Sequence, residues 1–429
     1  MTDTAASSTA GTPDRGWRQA LGPGLLLAAA AIGVSHLVQS TRAGADYGFG
    51  LLWIVLLVNL FKYPFLEYGP RYAIATGESM LDGYLRLGRW ALGLYLAFTV
   101  GTMFAIQAAL ALVTANLAIE LTGIAWSPFV WGAIVLAVSA AILITGRYGV
   151  LDSAVKWIVA VLAASTLVAL GAAAVHGPVG DWSHTASPSI WNAAGISFVI
   201  ALMGWMPIPI DAAAWHSLWT LERARQTGYT PPLWQARLDF NIGYIGTGLL
   251  ALCFVALGAL VMFGTGTHFS NSGSVFAEQL IALYTNSLGA WAYPIIAACA
   301  FTAMFSTTLT VLDAHPRVCR HMAAQFSGGG EKMATSVGLY RALLMAIPLC
   351  SLGVLYALGQ HFTLMIDLAT TLSFLTAPVL AWLNYRLVTA DHVPIESQPG
   401  RAMRWLSRAG IVFLTAFALI YAGWRLFGA

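Results

Sequence analysis

Eleven apolar stretches, most about twenty residues or longer, recur along the chain near 24–45, 49–74, 91–118, 127–146, 152–176, 190–221, 237–264, 287–315, 335–358, 362–388 and 408–427. A helix of about 20 apolar residues crosses the roughly 30 Å of hydrocarbon in a bilayer. The recurrence predicts an all-α membrane protein with about 11 transmembrane helices. Of 429 residues, 58% are hydrophobic and 9% charged, where a soluble domain carries about a quarter charged. A soluble body of this composition lacks the charged side chains to cover its surface, and lipid removes the conflict. A scattered net charge of +3 gives no footprint for nucleic acid. Cys253, Cys299, Cys319 and Cys350 lie in or beside apolar stretches without CxxC spacing. They read as small buried hydrophobes, not as a disulfide or zinc framework.

The basic residues set an orientation. Arg15 and Arg18 precede the first span, Arg71, Arg86 and Arg89 follow the second, and Arg147 and Lys156 lie between the fourth and fifth. Arg223, Arg225 and Arg237 follow the sixth span, and Arg317, Arg320, Lys332 and Arg341 the eighth. Arg386, Arg401, Arg404 and Arg408 follow the tenth, while the alternate loops around 119–126, 177–189, 265–286 and 359–361 hold no Lys or Arg. Basic loops stay on the cytoplasmic side. The pattern predicts an integral plasma (inner) membrane protein with its N-terminus in the cytoplasm and its C-terminus outside. Residues 1–20 are small and polar and read as a disordered cytoplasmic tail before a single transmembrane domain over 21–429. The first apolar stretch runs straight into a long span, so no removable signal peptide is expected.

Two spans cannot be plain helices. The first carries Gly33-Val34-Ser35-His36 at its middle, followed by Gln39-Ser40-Thr41-Arg42. The sixth carries Pro207 and Pro209 just after Gly204, and each proline removes a backbone donor and clashes with the turn before it. Carbonyls released by such breaks need partners that lipid cannot supply. Interrupted spans five helices apart predict two five-helix repeats, about 21–176 and 187–388, with an extra helix at about 405–427. In transporters built this way the broken helices form the substrate site near the bilayer midplane.

Particular residues carry a family resemblance. The opening GPGLLLAAAAIG, then AGADYGFGLLWIVLLVNL and RYAIATGESM, resemble the first two helices of the Nramp family of divalent-metal transporters. Met206-Pro207, His216-Ser217 and the run Phe305-Ser306-Thr307-Thr308-Leu309-Thr310 fit the same family. The resemblance implies a LeuT-type 5+5 inverted repeat with broken helices 1 and 6. The family's span-one metal motif, Asp-Pro-Gly-Asn, is replaced by Gly33, Val34, Ser35 and His36, so its ligating carboxylate is absent. In span six the family has Met-Pro-His. One alignment puts Ile208 at the His position and another puts Asp211 there. Span three, acidic in the family, offers Gln107 and Asn116 as its large polar groups.

Ionisable groups at membrane depth are costly and mark candidate sites. The substrate-binding set read from the two breaks is Gly33, Ser35, His36, Gln39, Met206, Pro207 and Asp211, with His36 and Asp211 as metal ligands. A proton or coupling-ion path is read through Asp211, His216, Thr307 and Asp367. Plainer roles stand beside these. Asp211 can cap the second half-helix, His36 can be a packed histidine bonded to a carbonyl, and threonines in membrane helices bond back to their own turn. Arg42 is expected to pair with Asp46 at i+4. Lys62 and Glu67 are expected to be structural, with Lys62 snorkelling or pairing internally. Asp313 and His315 stand near the cytoplasmic end of span eight, just before Pro316. Trp205 and Trp215 flank the span-six break, where aromatic faces suit an organic cation.

The expectation is a non-enzymatic secondary transporter carrying divalent metal cations with altered selectivity by alternating access. The alternative is the same fold repurposed for a small organic, cationic solute. Coupling to H⁺ or Na⁺ is left open, no resident cofactor or obligatory protein partner is expected, and the partners are the lipid bilayer and a small solute or ion. No nucleotide-binding loop, HExxH motif or extramembrane domain is present, which argues against an ATP-driven pump.

Overall fold

The computed structural model describes residues 20–145, 148–183, 185 and 187–427. The expected tail with Arg15 and Arg18, together with Arg147 and the Lys156 side chain, lies outside the described residues. No strand occurs among those described.

Span one is α1 (Pro23–Ala31), a break, a π-helical turn (Ser35–Ser40) and α2 (Thr41–Tyr47), with a 46° bend between its halves. Span two is α3 (Leu52–Thr76), followed by the short α4 (Met80–Leu87) outside the spans. Spans three to five are α5 (Arg89–Thr122), α6 (Pro128–Thr145) and α7 (Tyr148–His176). Span six is α8 (Ala193–Trp205) and α9 (Ala212–Thr227), and span seven is α10 (Leu233–Met262). After α11 (Gly273–Leu288), span eight is α12 (Tyr293–Ser327). The short α13 (Gly330–Ala334) leads to spans nine to eleven: α14 (Val337–Leu358), α15 (Phe362–Val388) and α16 (Arg401–Phe427).

Seven of these helices are each long and apolar enough to cross a membrane, and the bent span one makes an eighth. Two of the other expected spans fall short for visible reasons. Helix α3 carries Asn59, Lys62, Glu67 and Arg71, and span six is divided into two short pieces. Two boundaries differ from expectation. Helix α11 occupies what reads as a loop, and span eight continues through Pro316 to Ser327. A single proline forfeits one helical hydrogen bond, and close packing of the long helix keeps it continuous.

The broken spans are held at the centre by backbone-to-backbone contact. A Cβ on Gly24 would overlap the Asp239 carbonyl, and a Cβ on Gly243 would overlap the Gly24 carbonyl. Spans one and seven therefore meet along small residues, the packing available to helices in lipid, where apolar burial supplies no drive. Asp239 reinforces the contact by accepting from the backbone N–H of Gly22 at 3.0 Å and of Gly24 at 2.6 Å, which caps α1. Glu67, expected to be structural, is fully buried and takes Arg71 at 2.8 Å and Arg237 at 3.1 Å, tying span two to span seven.

Candidate functional site

Helix α1 ends at Ala31, and the carbonyls it releases find hydroxyl partners. The Ser35 hydroxyl lies 2.7 Å from the Ala31 carbonyl and 3.2 Å from the Pro207 carbonyl. One side chain thus joins the two breaks. The Thr307 hydroxyl of span eight lies 2.9 Å from the Ala29 carbonyl and 3.2 Å from that of Ile32, as well as 3.2 Å from Ala303 in its own turn. Each hydroxyl holds a single proton, so these acceptors share it. Gly33 is what lets Thr307 approach: a Cβ there would stand 2.9 Å from the threonine side chain. Gly33 closes the site; it does not widen it.

His36 is fully buried with both ring nitrogens engaged. Nε2 lies 2.9 Å from the Thr247 carbonyl of span seven, and Nδ1 lies 2.8 Å from the Ser35 hydroxyl and 2.9 Å from the Ala31 carbonyl. A carbonyl can only accept, so a neutral ring donates through one nitrogen, from Nε2 to Thr247 or from Nδ1 to Ala31, and the Ser35 hydroxyl can serve Nδ1 in either tautomer. The ring is therefore a strut between spans one and seven.

Gln39 and Arg42 turn the same way, one helical turn apart. The Gln39 amide donates to Asp367 at 3.0 Å, and Arg42 donates to the Gln39 oxygen at 2.9 Å. Arg42 forms an ion pair with Asp367 at 2.8 Å, with its guanidinium 5.0 Å from the centre of the Phe198 ring. The expected Arg42–Asp46 pair does not form. Asp46 pairs with His268 at 3.1 Å, because Arg42 faces span ten and Asp46 faces the loop that carries His268.

Span six breaks where its prolines predict. Asn192 caps α8 by accepting from the Gly195 N–H at 2.8 Å. Helix α9 restarts at Ala212 with Asp211 in the capping position, but the carboxylate makes no capping hydrogen bond. The Asp211 residue is 8% exposed, and its main-chain carbonyl accepts from the Tyr95 hydroxyl at 3.1 Å. Lys62 takes the other side of the break. Its ammonium donates to the carbonyls of Met203 at 2.6 Å, Gly204 at 2.8 Å and Ile208 at 3.4 Å. The internal pairing expected for it is thus with backbone oxygens.

Between the breaks lies a small cavity of about 20 Å³, room for roughly one water. Val34, Ser35, Trp205, Pro207, Trp215 and Thr307 are among its lining residues, whereas His36, Asp211 and His216 are not. Met206 is fully buried beside it. The Trp205 indole N–H donates to the Ser373 hydroxyl on span ten at 2.8 Å.

His216 packs against Phe240 and His315 against Trp215, with ring centres 5.8 Å and 5.1 Å apart. Neither imidazole has a hydrogen-bond partner on either nitrogen. Asp313 is held by Arg317 at 2.7 Å and the Tyr340 hydroxyl at 2.6 Å. Among the described residues, no three His, Cys, Asp or Glu side chains are gathered closely enough to hold a metal ion. His36 and Asp211 accordingly stand apart from any such cluster. On the face of the basic loops a polar cavity of about 770 Å³ opens, lined by Glu78, Asp82, Arg86, Glu222, Arg225 and Arg317, among others. The residue that sequence reasoning undervalued is Lys62, and a lone lysine at mid-span was the available signal.

Comparison with known proteins gives consistent findings. A family model described as Nramp, natural resistance-associated macrophage protein-like, matches residues 24–422. An uncharacterised protein of Pasteurella multocida is 36% identical over 415 residues, covering 94% of this chain and 93% of that protein. A divalent metal cation transporter MntH of Granulibacter bethesdensis is 24% identical over 302 residues, covering 69% and 67% respectively. Among solved structures, the manganese transporter of Eremococcus coleocola aligns with a TM-score of 0.68 at 14% identity, covering 97% of this chain and 88% of that one. MhsT in complex with L-phenylalanine aligns with a TM-score of 0.61 at 15% identity, covering 92% and 98%. The fold is LeuT-type with Nramp architecture.

Proposed function

Because the chain belongs to the Nramp family, we propose that it is a secondary transporter that carries a divalent cation by alternating access, with altered selectivity. The observation that carries this reading is the meeting of the two helix breaks, joined through Ser35 and the Pro207 carbonyl around one small cavity. Broken helices at the centre of such folds are where ions and small solutes are held. The ion class is supported by relatives named as divalent metal cation transporters.

Altered selectivity follows from the donors at the breaks. Asp211, at the span-six break but outside the cavity lining, is the carboxylate this reading relies on, and neutral hydroxyl and carbonyl oxygens supply the rest. A fully dehydrated transition-metal ion prefers more nitrogen, sulfur or carboxylate ligands. An ion that keeps part of its water, as Mg²⁺ does, needs fewer.

The two repeats, about 21–176 and 187–388, rock against each other in this account. On one face the Arg42–Asp367 pair spans the gap between spans one and ten, and on the other the 770 Å³ cavity stands open. Basic loops line the open face, which makes it cytoplasmic by the positive-inside rule.

A second reading, transport of a small organic cation, is favoured by Trp205 and Trp215 on the cavity wall. Proteoliposomes loaded with an ion-sensitive dye separate the two. Uptake of Mg²⁺ or Mn²⁺ that is lost in Asp211→Asn supports the cation reading. Uptake of a small amine without any metal flux supports the second.

A further inference from the structure

Lys62 lies midway along α3, and its side chain is 0% exposed. Its ammonium has three N–H donors, and three carbonyl oxygens face it, those of Met203, Gly204 and Ile208. Met203 and Gly204 belong to the last turn of α8, whose carbonyls lose their helical partners where Pro207 and Pro209 stop the chain. The same end of a helix carries the negative pole of its dipole. Inside lipid no water reaches such a place. A cluster of backbone oxygens at the negative end of a broken helix has the donor chemistry that dehydrated monovalent cations take as ligands.

We propose that Lys62 is a resident cation in a carbonyl site at the back of the span-six break, standing where an exchangeable alkali-metal ion would otherwise bind. The lysine is not among the residues lining the central cavity, although Ile208, which offers the third carbonyl, is. Asp211 follows Ile208 by three residues, and the ammonium fills the carbonyl site without any bound ion. Occupancy of this site therefore does not depend on Na⁺ or K⁺. For its bearing on coupling the inference rests on the transporter reading: ion coupling at this position is excluded because the chain fills it. The carbonyl site itself is tested without any transport.

The test is thermal unfolding of the purified protein in sodium, potassium, methylammonium and N-methylglucamine chlorides at equal ionic strength. Wild-type protein is expected to unfold at the same temperature in all four. Lys62→Ala removes the ammonium and leaves the carbonyls exposed to a stem-sized space. Its midpoint is expected to fall, and to recover in methylammonium or Na⁺ but not in the bulky N-methylglucamine. Lys62→Gln takes its place in the same screen if the alanine variant cannot be isolated folded. A wild-type midpoint raised specifically by Na⁺, or a variant with one midpoint in every salt, overturns the proposal. If neither variant folds, the wild-type comparison decides alone. Failure to find cation uptake in proteoliposomes would count against the transport reading and leave this result standing.

Discussion

Arg42 in the second half of span one and Asp367 on span ten face each other at 2.8 Å, and Gln39 hydrogen-bonds to both. The pair links the second half of a broken helix to span ten. Its side chains are 13% and 33% exposed, so solvent screens part of the attraction. A double-mutant cycle with Arg42→Gln and Asp367→Asn should give a coupling of about 1 kcal/mol. Additive single effects on thermal stability would mean that the contact does not tie span one to span ten.

His36 has no nitrogen to spare for a metal ion, because Thr247, Ala31 and Ser35 use both. His36→Ala should lower stability by about 2–4 kcal/mol, through the lost volume and the lost hydrogen bond to Thr247. Cargo affinity measured on the folded fraction should be unchanged. A variant of normal stability with weakened binding would restore the imidazole as a ligand.

Two glycines one turn apart on span seven should respond oppositely to alanine. Gly243 lies against the Gly24 carbonyl of span one, and that backbone cannot move aside. Gly246 has nothing within 4 Å of an added Cβ. Gly243→Ala should abolish folded protein on size exclusion, whereas Gly246→Ala should be neutral or gain up to about 1 kcal/mol from helix propensity. Equal tolerance at both sites would remove the close span one–span seven contact from the account.

Acid should loosen the short helix α4 on the face of the basic loops. Burial opposes ionisation of Asp82, but His321 at 2.7 Å and the Ser79 N–H at 2.9 Å hold its carboxyl below the usual value. A carboxyl depressed in the folded state adds stability that is present above the unfolded value and lost as pH falls through the folded one. The thermal midpoint should therefore drop as pH falls below the ordinary carboxylate range, and Asp82→Asn should flatten that drop. An unchanged acid limb in the variant would show that other groups govern it.

The local chemistry of the breaks was legible in the sequence because it is written in adjacent residues. Pro207 and Pro209 remove donors wherever the chain goes, and Gly33 next to a polar run marks span one as interrupted. What could not be read are partners supplied from far along the chain. Lys62 meets carbonyls about 140 residues away, and the acceptor for His36 lies on span seven. Arg42 illustrates the same limit. Its i+4 neighbour Asp46 is visible in the sequence, while Asp367 becomes a neighbour only when span ten packs against span one. The approach of Thr307 to Gly33 from span eight is hidden for the same reason.

The account turns on whether Asp211 serves a cation held between the helix breaks. Calorimetric titration of the purified protein with Mg²⁺, Mn²⁺ and Ca²⁺, beside Asp211→Asn, tests this most directly. Saturable heat from at least one ion, lost in a variant that remains folded, is the predicted result. No heat from any of the three ions, or heat that survives in Asp211→Asn, would contradict it.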